Sequence, residues 1–132
     1  MIAGTGIDVI EIDRIEQAMV RHGEAFLDRL FTPIERGYCD GKAKPAASYA
    51  ARFAAKEAAA KALGTGIGAT AGWRDFEIVN GESGAPELRI TGAAAATMRT
   101  RGVSFILISL THARDYAAAH AIAVREDKPS LL

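Results

Sequence analysis

Glu57 and Lys61 stand four residues apart in Arg52-Phe53-Ala54-Ala55-Lys56-Glu57-Ala58-Ala59-Ala60-Lys61-Ala62-Leu63. This alanine-rich stretch reads as helix and runs into Gly64-Thr65-Gly66-Ile67-Gly68. On a helix, the spacing puts a carboxylate and an ammonium on one face. A solvated surface supplies the same pair, for about 0.3–0.5 kcal/mol. The adjacent row changes its weight. Arg52 and Lys56 set two cations one turn apart, and these repel unless an anion or an acid sits between them. Asp8, in Gly6-Ile7-Asp8-Val9-Ile10, lies in an apolar strand. A carboxylate is costly to bury there unless it is paired or metal-bound, and an edge-strand acid facing solvent is the alternative. Magnesium is commonly held by one or two carboxylates, with water and substrate phosphates completing the shell. Asp8 and Glu57 therefore predict Mg2+ and a phosphorylated substrate, provided that the first strand and the long helix pack together.

The glycine loop has two readings. Glycine tolerates positive φ and carries no Cβ, so its N–H groups can approach phosphate oxygens. The loop lacks the Lys-Ser/Thr ending of a Walker loop, and it follows a helix rather than a strand. A helix terminator explains it equally well. His112 follows Ser109-Leu110-Thr111 at a strand end, either as a turn residue or as a donor to phosphate or base. His120 lies inside the last strand, where core packing is expected. His22 reads as a cation at a helix C-terminus. Arg14 and Arg21 read as a solvated helix face or as a basic surface for an acidic protein partner.

The elements that must position these groups follow from pattern. An apolar strand covers 2–10. Asp13 is the expected N-cap of a helix to about Arg21, closed by His22-Gly23, and a second helical piece covers 24–31. Thr32-Pro33-Ile34-Glu35 has the form of a capping box with proline at the first helical position. Lys42 to Pro45 reads as a loop with two cations. The long helix covers 46–63, with Gly64 as its C-cap. Period-two alternation gives strands around 76–78 and 88–90, joined by a glycine-rich turn. A helix covers 92–101, a buried strand 103–110, and a last strand 116–124 with Tyr116, Ala118, His120, Ile122 and Val124 on one face. The order predicts an α+β fold, a mostly antiparallel sheet packed with one long central helix and shorter helices. Residues 1–126 read as a single domain and 127–132 as a flexible tail.

Composition bounds the rest. The chain has 132 residues, 49% of them hydrophobic and 24% charged, the profile of one globular domain. Sixteen basic residues balance sixteen acidic ones. No excess of cations supports nonspecific nucleic-acid binding, so no nucleic-acid partner is expected. Cys39 is the only cysteine, which rules out an internal disulfide and a cysteine-based metal site. Neither a signal peptide nor a membrane span is read, and the chain is expected to be soluble and cytoplasmic. Alanine-rich segments such as 93–96 and 117–119 bury little area per residue. A core built this way points toward help from a subunit interface.

Taken together, the motifs resemble the holo-acyl-carrier-protein synthase family of small phosphopantetheinyl transferases. The likeness rests on Gly6-Ile7-Asp8 with Arg14, the Arg52 to Ala58 segment with Lys61, Gly64 to Gly68, Gly84-Ala85-Pro86, and Ser109-Leu110-Thr111-His112. It implies transfer of 4′-phosphopantetheine from coenzyme A to a serine of apo-acyl carrier protein for fatty acid synthesis, releasing adenosine 3′,5′-bisphosphate. It also implies a homotrimer with active sites between subunits. The resemblance assigns Asp8 and Glu57 to magnesium, Lys61 to the phosphates, and Arg52 and His112 to the 3′-phosphate and adenine. Lys42 or Lys44 assists there, and Gly64, Thr65 and Gly66 line the nucleotide. Arg14, and less securely Arg21, meet the acidic helix of the carrier. Glu57, directly or through water, is the implied base. Peptidyl or polyketide carriers, or mere binding of coenzyme A, remain the competing readings.

Overall fold

The structure, a computed structural model, describes residues 1–127. The chain runs β1 (Ile2–Glu11), α1 (Ile12–Leu30), α2 (Pro33–Asp40), α3 (Pro45–Leu63), β2 (Phe76–Asn80), β3 (Pro86–Ile90), α4 (Gly92–Arg101), β4 (Phe105–His112) and β5 (Tyr116–Val124). The strands form a β1-β5-β4 sheet and a β2-β3 hairpin, and every pairing is antiparallel. The expected α+β class and the central helix are both observed. The tail expected from residue 127 lies, from 128 onward, outside the described residues. Among the described residues, no helix is long and apolar enough to cross a membrane.

Helix α3 organises the molecule. Proline occupies its first position, where no N–H is needed. Its body is mostly alanine and is buried on nearly all sides, as a helix without a polar face must be. Gly64 ends it in the left-handed region, with φ 88°. The Arg101 guanidinium donates to the Leu63 carbonyl at 2.7 Å, which puts a cation at the negative end of the helix.

Strand β1 lies directly on α3. A Cβ at Gly6 would overlap the Ala58 carbonyl oxygen and lie 2.9 Å from the Ala62 nitrogen. Gly4 meets the Ala62 carbonyl in the same way. Gly6 and Ile10 of β1, Ala117, Ala119, Ala121 and Ala123 of β5, and Ile106 of β4 form the buried side of the sheet. The small residues let the strands and helix approach closely.

The alternation in β5 falls as expected, but its polarity corrects two expectations. Tyr116, Ala118, His120, Ile122 and Val124 form the outer face, and His120 is exposed rather than packed in the core. Strand β4 starts at Phe105 and is buried only on alternate residues. On the outer face, Ile7, Val9, Leu107 and Tyr116 are each more than half exposed, at 64%, 60%, 55% and 54%. The two helical pieces expected over 13–31 form one element, kinked at Gly23 (φ 57°, ψ −135°), and Glu11 rather than Asp13 occupies the N-cap. Glycine permits that kink because positive φ costs it nothing.

Candidate active site

The β1–α3 contact brings Asp8 beside the long helix. Glu57 is partly buried, and its carboxyl pKa is raised, first by burial and then by the neighbouring Asp8 charge, with Lys61 opposing. Lys61 does not pair with Glu57 on its own helix. Its ammonium donates to the Ile7 carbonyl at 2.9 Å and reaches the Asp8 carboxylate at 3.2 Å. Lys61 also borders a depression of about 410 Å³ with Thr5, Gly6, Ile7 and His120. Asp8, Glu57 and Lys61 thus form one cluster, held by the close fit of β1 on α3.

A carboxylate whose proton affinity is raised by burial and by a second carboxylate beside it suits a divalent cation. Like charges that cannot both ionise cheaply are relieved by a metal, and magnesium needs few protein ligands when a phosphate supplies the rest. The described residues contain no cluster of three or more His, Cys, Asp or Glu that could form a complete protein cage. The donor set fits magnesium shared with a substrate, and Asp8 and Glu57 would hold it.

The second cluster lies elsewhere. Arg52 and Glu57 are five residues apart on α3, which rotates them by about 140° around the axis and separates them by about 7.5 Å along it. Arg52 opens onto a cavity of about 520 Å³ between α2, the start of α3, the β2-β3 turn and the end of β4. Lys42, Lys44 and His112 line it, together with Tyr38, Asn80, Gly84 and Pro86. Asp8, Glu57 and Lys61 do not, and no acidic residue lines it. Arg52 is 4% exposed, and its Nε has no hydrogen-bond partner. Among the described residues it makes no ion pair. A buried guanidinium without an acid, in a cavity lined by two lysines and a histidine, is a site for an anion. Lys44 and His112 also border a cleft of about 860 Å³ against α1, walled by Ile12, Met19 and Val20. Arg14 and Arg21 are exposed on that helix, two turns apart.

Hydrogen bonds decide two readings that spacing left open. The N–H groups of Gly64, Thr65 and Gly66 all donate to the Ala60 carbonyl, and that of Gly64 also to Lys61. They cap α3 and are not turned outward to a phosphate, so the glycine loop is a helix terminator in its backbone bonding. Of the anion or acid that the Arg52 and Lys56 row called for, Lys56 has an acid. Its ammonium donates to Glu35 at 2.8 Å and to the Trp73 and Phe76 carbonyls, with both side chains fully buried. Burial is the main influence on Lys56 and lowers its pKa, while Glu35 opposes it. Glu35 accepts further bonds from Thr32 N–H at 2.9 Å and Ile78 N–H at 3.0 Å. The capping-box spacing flagged Glu35, but nothing local announced a partner twenty-one residues away. Tyr38 was not singled out by the sequence, since one tyrosine in a short helix carries no pattern.

A carboxylate pair at one place and a cationic cavity at another suit a transferase that handles a phosphorylated substrate. The sequence profile of the 4′-phosphopantetheinyl transferase superfamily matches residues 4–122, and the chain belongs to that family. A holo-[acyl-carrier-protein] synthase of Desulforudis audaxviator is 48% identical over 124 residues, 94% of each chain. The crystal structure of the Neisseria meningitidis holo-[acyl-carrier-protein] synthase superposes with a TM-score of 0.88 at 34% identity, covering 95% of this chain and all of that one. The Helicobacter pylori enzyme, solved in complex with coenzyme A, gives 0.81 at 31% identity over 91% of this chain and 99% of that one. The resemblance read from the sequence therefore holds. So does its reaction, phosphopantetheinyl transfer from coenzyme A to apo-acyl carrier protein.

Proposed function

We propose that this chain performs its transfer at a composite site: Asp8, Glu57 and Lys61 of one copy act on the pyrophosphate of a coenzyme A whose 3′-phosphate is held by Arg52, Lys42, Lys44 and His112 of a neighbour. The observation that carries this reading is the separation of the two clusters: they project from different sides of α3, and none of Asp8, Glu57 and Lys61 reaches the cavity that Arg52 lines. The bare apolar face of β1, β5 and β4 supports assembly, because contiguous exposed apolar surface of this kind marks a protein contact. The assembly is read as a homotrimer of single domains spanning residues 1–126, the number that the family resemblance implies. The free, buried Cys39 suits a reducing compartment, the cytoplasm.

Magnesium held by Asp8 and Glu57 would supply charge neutralisation on the pyrophosphate. The chain's own groups do the remainder. Glu57, directly or through a water, takes the proton of the carrier serine as the serine oxygen attacks the β-phosphorus. Lys61 stands beside Asp8 to stabilise charge on the departing phosphate oxygen. Gly64, Thr65 and Gly66 contribute surface to the nucleotide rather than N–H donors. Arg14 and Arg21, exposed beside the apolar cleft on α1, meet the acidic carrier helix. Positioning and electrostatics supply most of the acceleration in phosphoryl transfers of this kind.

The test is direct. The purified chain, coenzyme A, magnesium and an apo-acyl carrier protein are combined, and the carrier is weighed by mass spectrometry. A gain of one phosphopantetheinyl group on its serine is expected. An unmodified carrier, across fatty-acid, polyketide and peptidyl types, reduces the protein to a coenzyme A binder.

A further inference from the structure

Arg52 has no carboxylate to hold it, yet its guanidinium is fixed. Its Cζ lies 4.0 Å from the centre of the Tyr38 ring, and Lys42 Nζ lies over the same ring at 4.3 Å. Tyr38 belongs to α2, while the cations come from α3 and from the loop between the two helices. One ring therefore gathers two cations from separate elements at the wall of one cavity. An aromatic face attracts cations without neutralising them, unlike an acid in the same place. An Asp or Glu at position 38 would pair with Arg52 and spend the charge that an incoming phosphate needs. Burial opposes ionisation of the Tyr38 hydroxyl, but the polar side chain of Asn80, which also lines the cavity, is the larger influence and lowers the pKa, as do Lys42 and Arg52.

We infer that Tyr38 is a positioning residue that presents Arg52 and Lys42 to the 3′-phosphate of coenzyme A through its ring face. The inference rests on the reading that this cavity receives that phosphate. It makes Tyr38 a determinant of discrimination between coenzyme A and 3′-dephospho-coenzyme A, although Tyr38 itself contacts the cations.

The experiment measures KM and kcat for both substrates in the wild type, Tyr38→Leu and Tyr38→Phe. The wild type is expected to prefer coenzyme A. Tyr38→Leu raises KM for coenzyme A about tenfold with kcat unchanged, the scale of a desolvated cation–π contact. Its KM for 3′-dephospho-coenzyme A stays at the wild-type value, and Tyr38→Phe, which keeps the ring, behaves as wild type toward both. If Tyr38→Leu fails to fold, Tyr38→Gln takes its place in the same measurements. A wild type indifferent to the 3′-phosphate overturns the cavity assignment and this inference together. A discriminating wild type whose Leu variant is unchanged, or weakened equally for both substrates, overturns the role of Tyr38 alone. Loss of discrimination in Tyr38→Phe overturns the ring as its agent.

Discussion

Gly6 rests against the main chain of Ala58, with no room between them for a single carbon. That contact sets the distance from β1 to α3, and with it the approach of Asp8 to Glu57.

Gly6→Ala should therefore cost stability and activity together. The added methyl meets backbone, which cannot rotate away, so destabilisation of about 1–3 kcal/mol or more is expected. Urea unfolding measures the first effect, and carrier modification at a temperature where the variant is folded measures the second. A variant as stable and active as wild type would show that the strand shifts freely on the helix.

Glu57→Gln should abolish transfer while sparing the fold. The sign of its pH effect is set by the raised carboxyl pKa. A carboxyl with a raised folded pKa holds its proton more tightly folded than unfolded, so its contribution is present at low pH. It is lost as pH rises through the ordinary carboxylate range to the raised value. Without metal, Glu57→Gln should match wild type in acid and become relatively more stable above that window. Magnesium should raise the melting temperature of wild type and not of the variant. Thermal melts across pH, with and without magnesium, check both statements.

How much of this was visible in the amino-acid order depends on distance along the chain. The capping box at Thr32 and Glu35, the Gly64 terminus and the 116–124 strand are local patterns, and each falls where its residues indicate. The Asp8 and Glu57 partnership spans forty-nine positions; residue chemistry suggested it, but only on the condition that β1 packs on α3, which no local pattern states. The fate of Lys56 was not legible, because a buried lysine and a surface lysine look alike until Glu35 is seen facing it. The outward side of β5 was misjudged for a related reason. Alternation reveals two faces, and alanines opposite larger apolar residues leave open which face meets the helix.

Lys56→Met alone should be strongly destabilising, by about 3–5 kcal/mol, because it strands a buried carboxylate. Adding Glu35→Gln should recover part of that loss, since a neutral amide needs no counter-ion. Urea midpoints of wild type, the two single variants and the double variant form the cycle that tests the coupling.

Mixing two inactive variants tests the composite site. Glu57→Gln and Arg52→Ala are each expected to fail alone. Coexpressed, they should regain activity, because an intact carboxylate pair in one copy can face an intact Arg52 in the next. No recovery in verified mixed oligomers would place both clusters in the service of one chain.

Arg14→Glu should raise KM for the carrier about tenfold or more through like-charge repulsion, and leave KM for coenzyme A unchanged. The effect should shrink as salt is added, because the pair is exposed. An unchanged carrier KM at low salt removes Arg14 from the contact.

The outer face of the sheet also bears on how the protein is made. A newly folded copy leaves synthesis with Ile7, Val9, Leu107 and Tyr116 bare to water, a sticky surface until something covers it. Encounters between such copies compete with clumping, and the outcome turns on how fast chains accumulate. Gentle, slow production gives each copy time to find a proper neighbour.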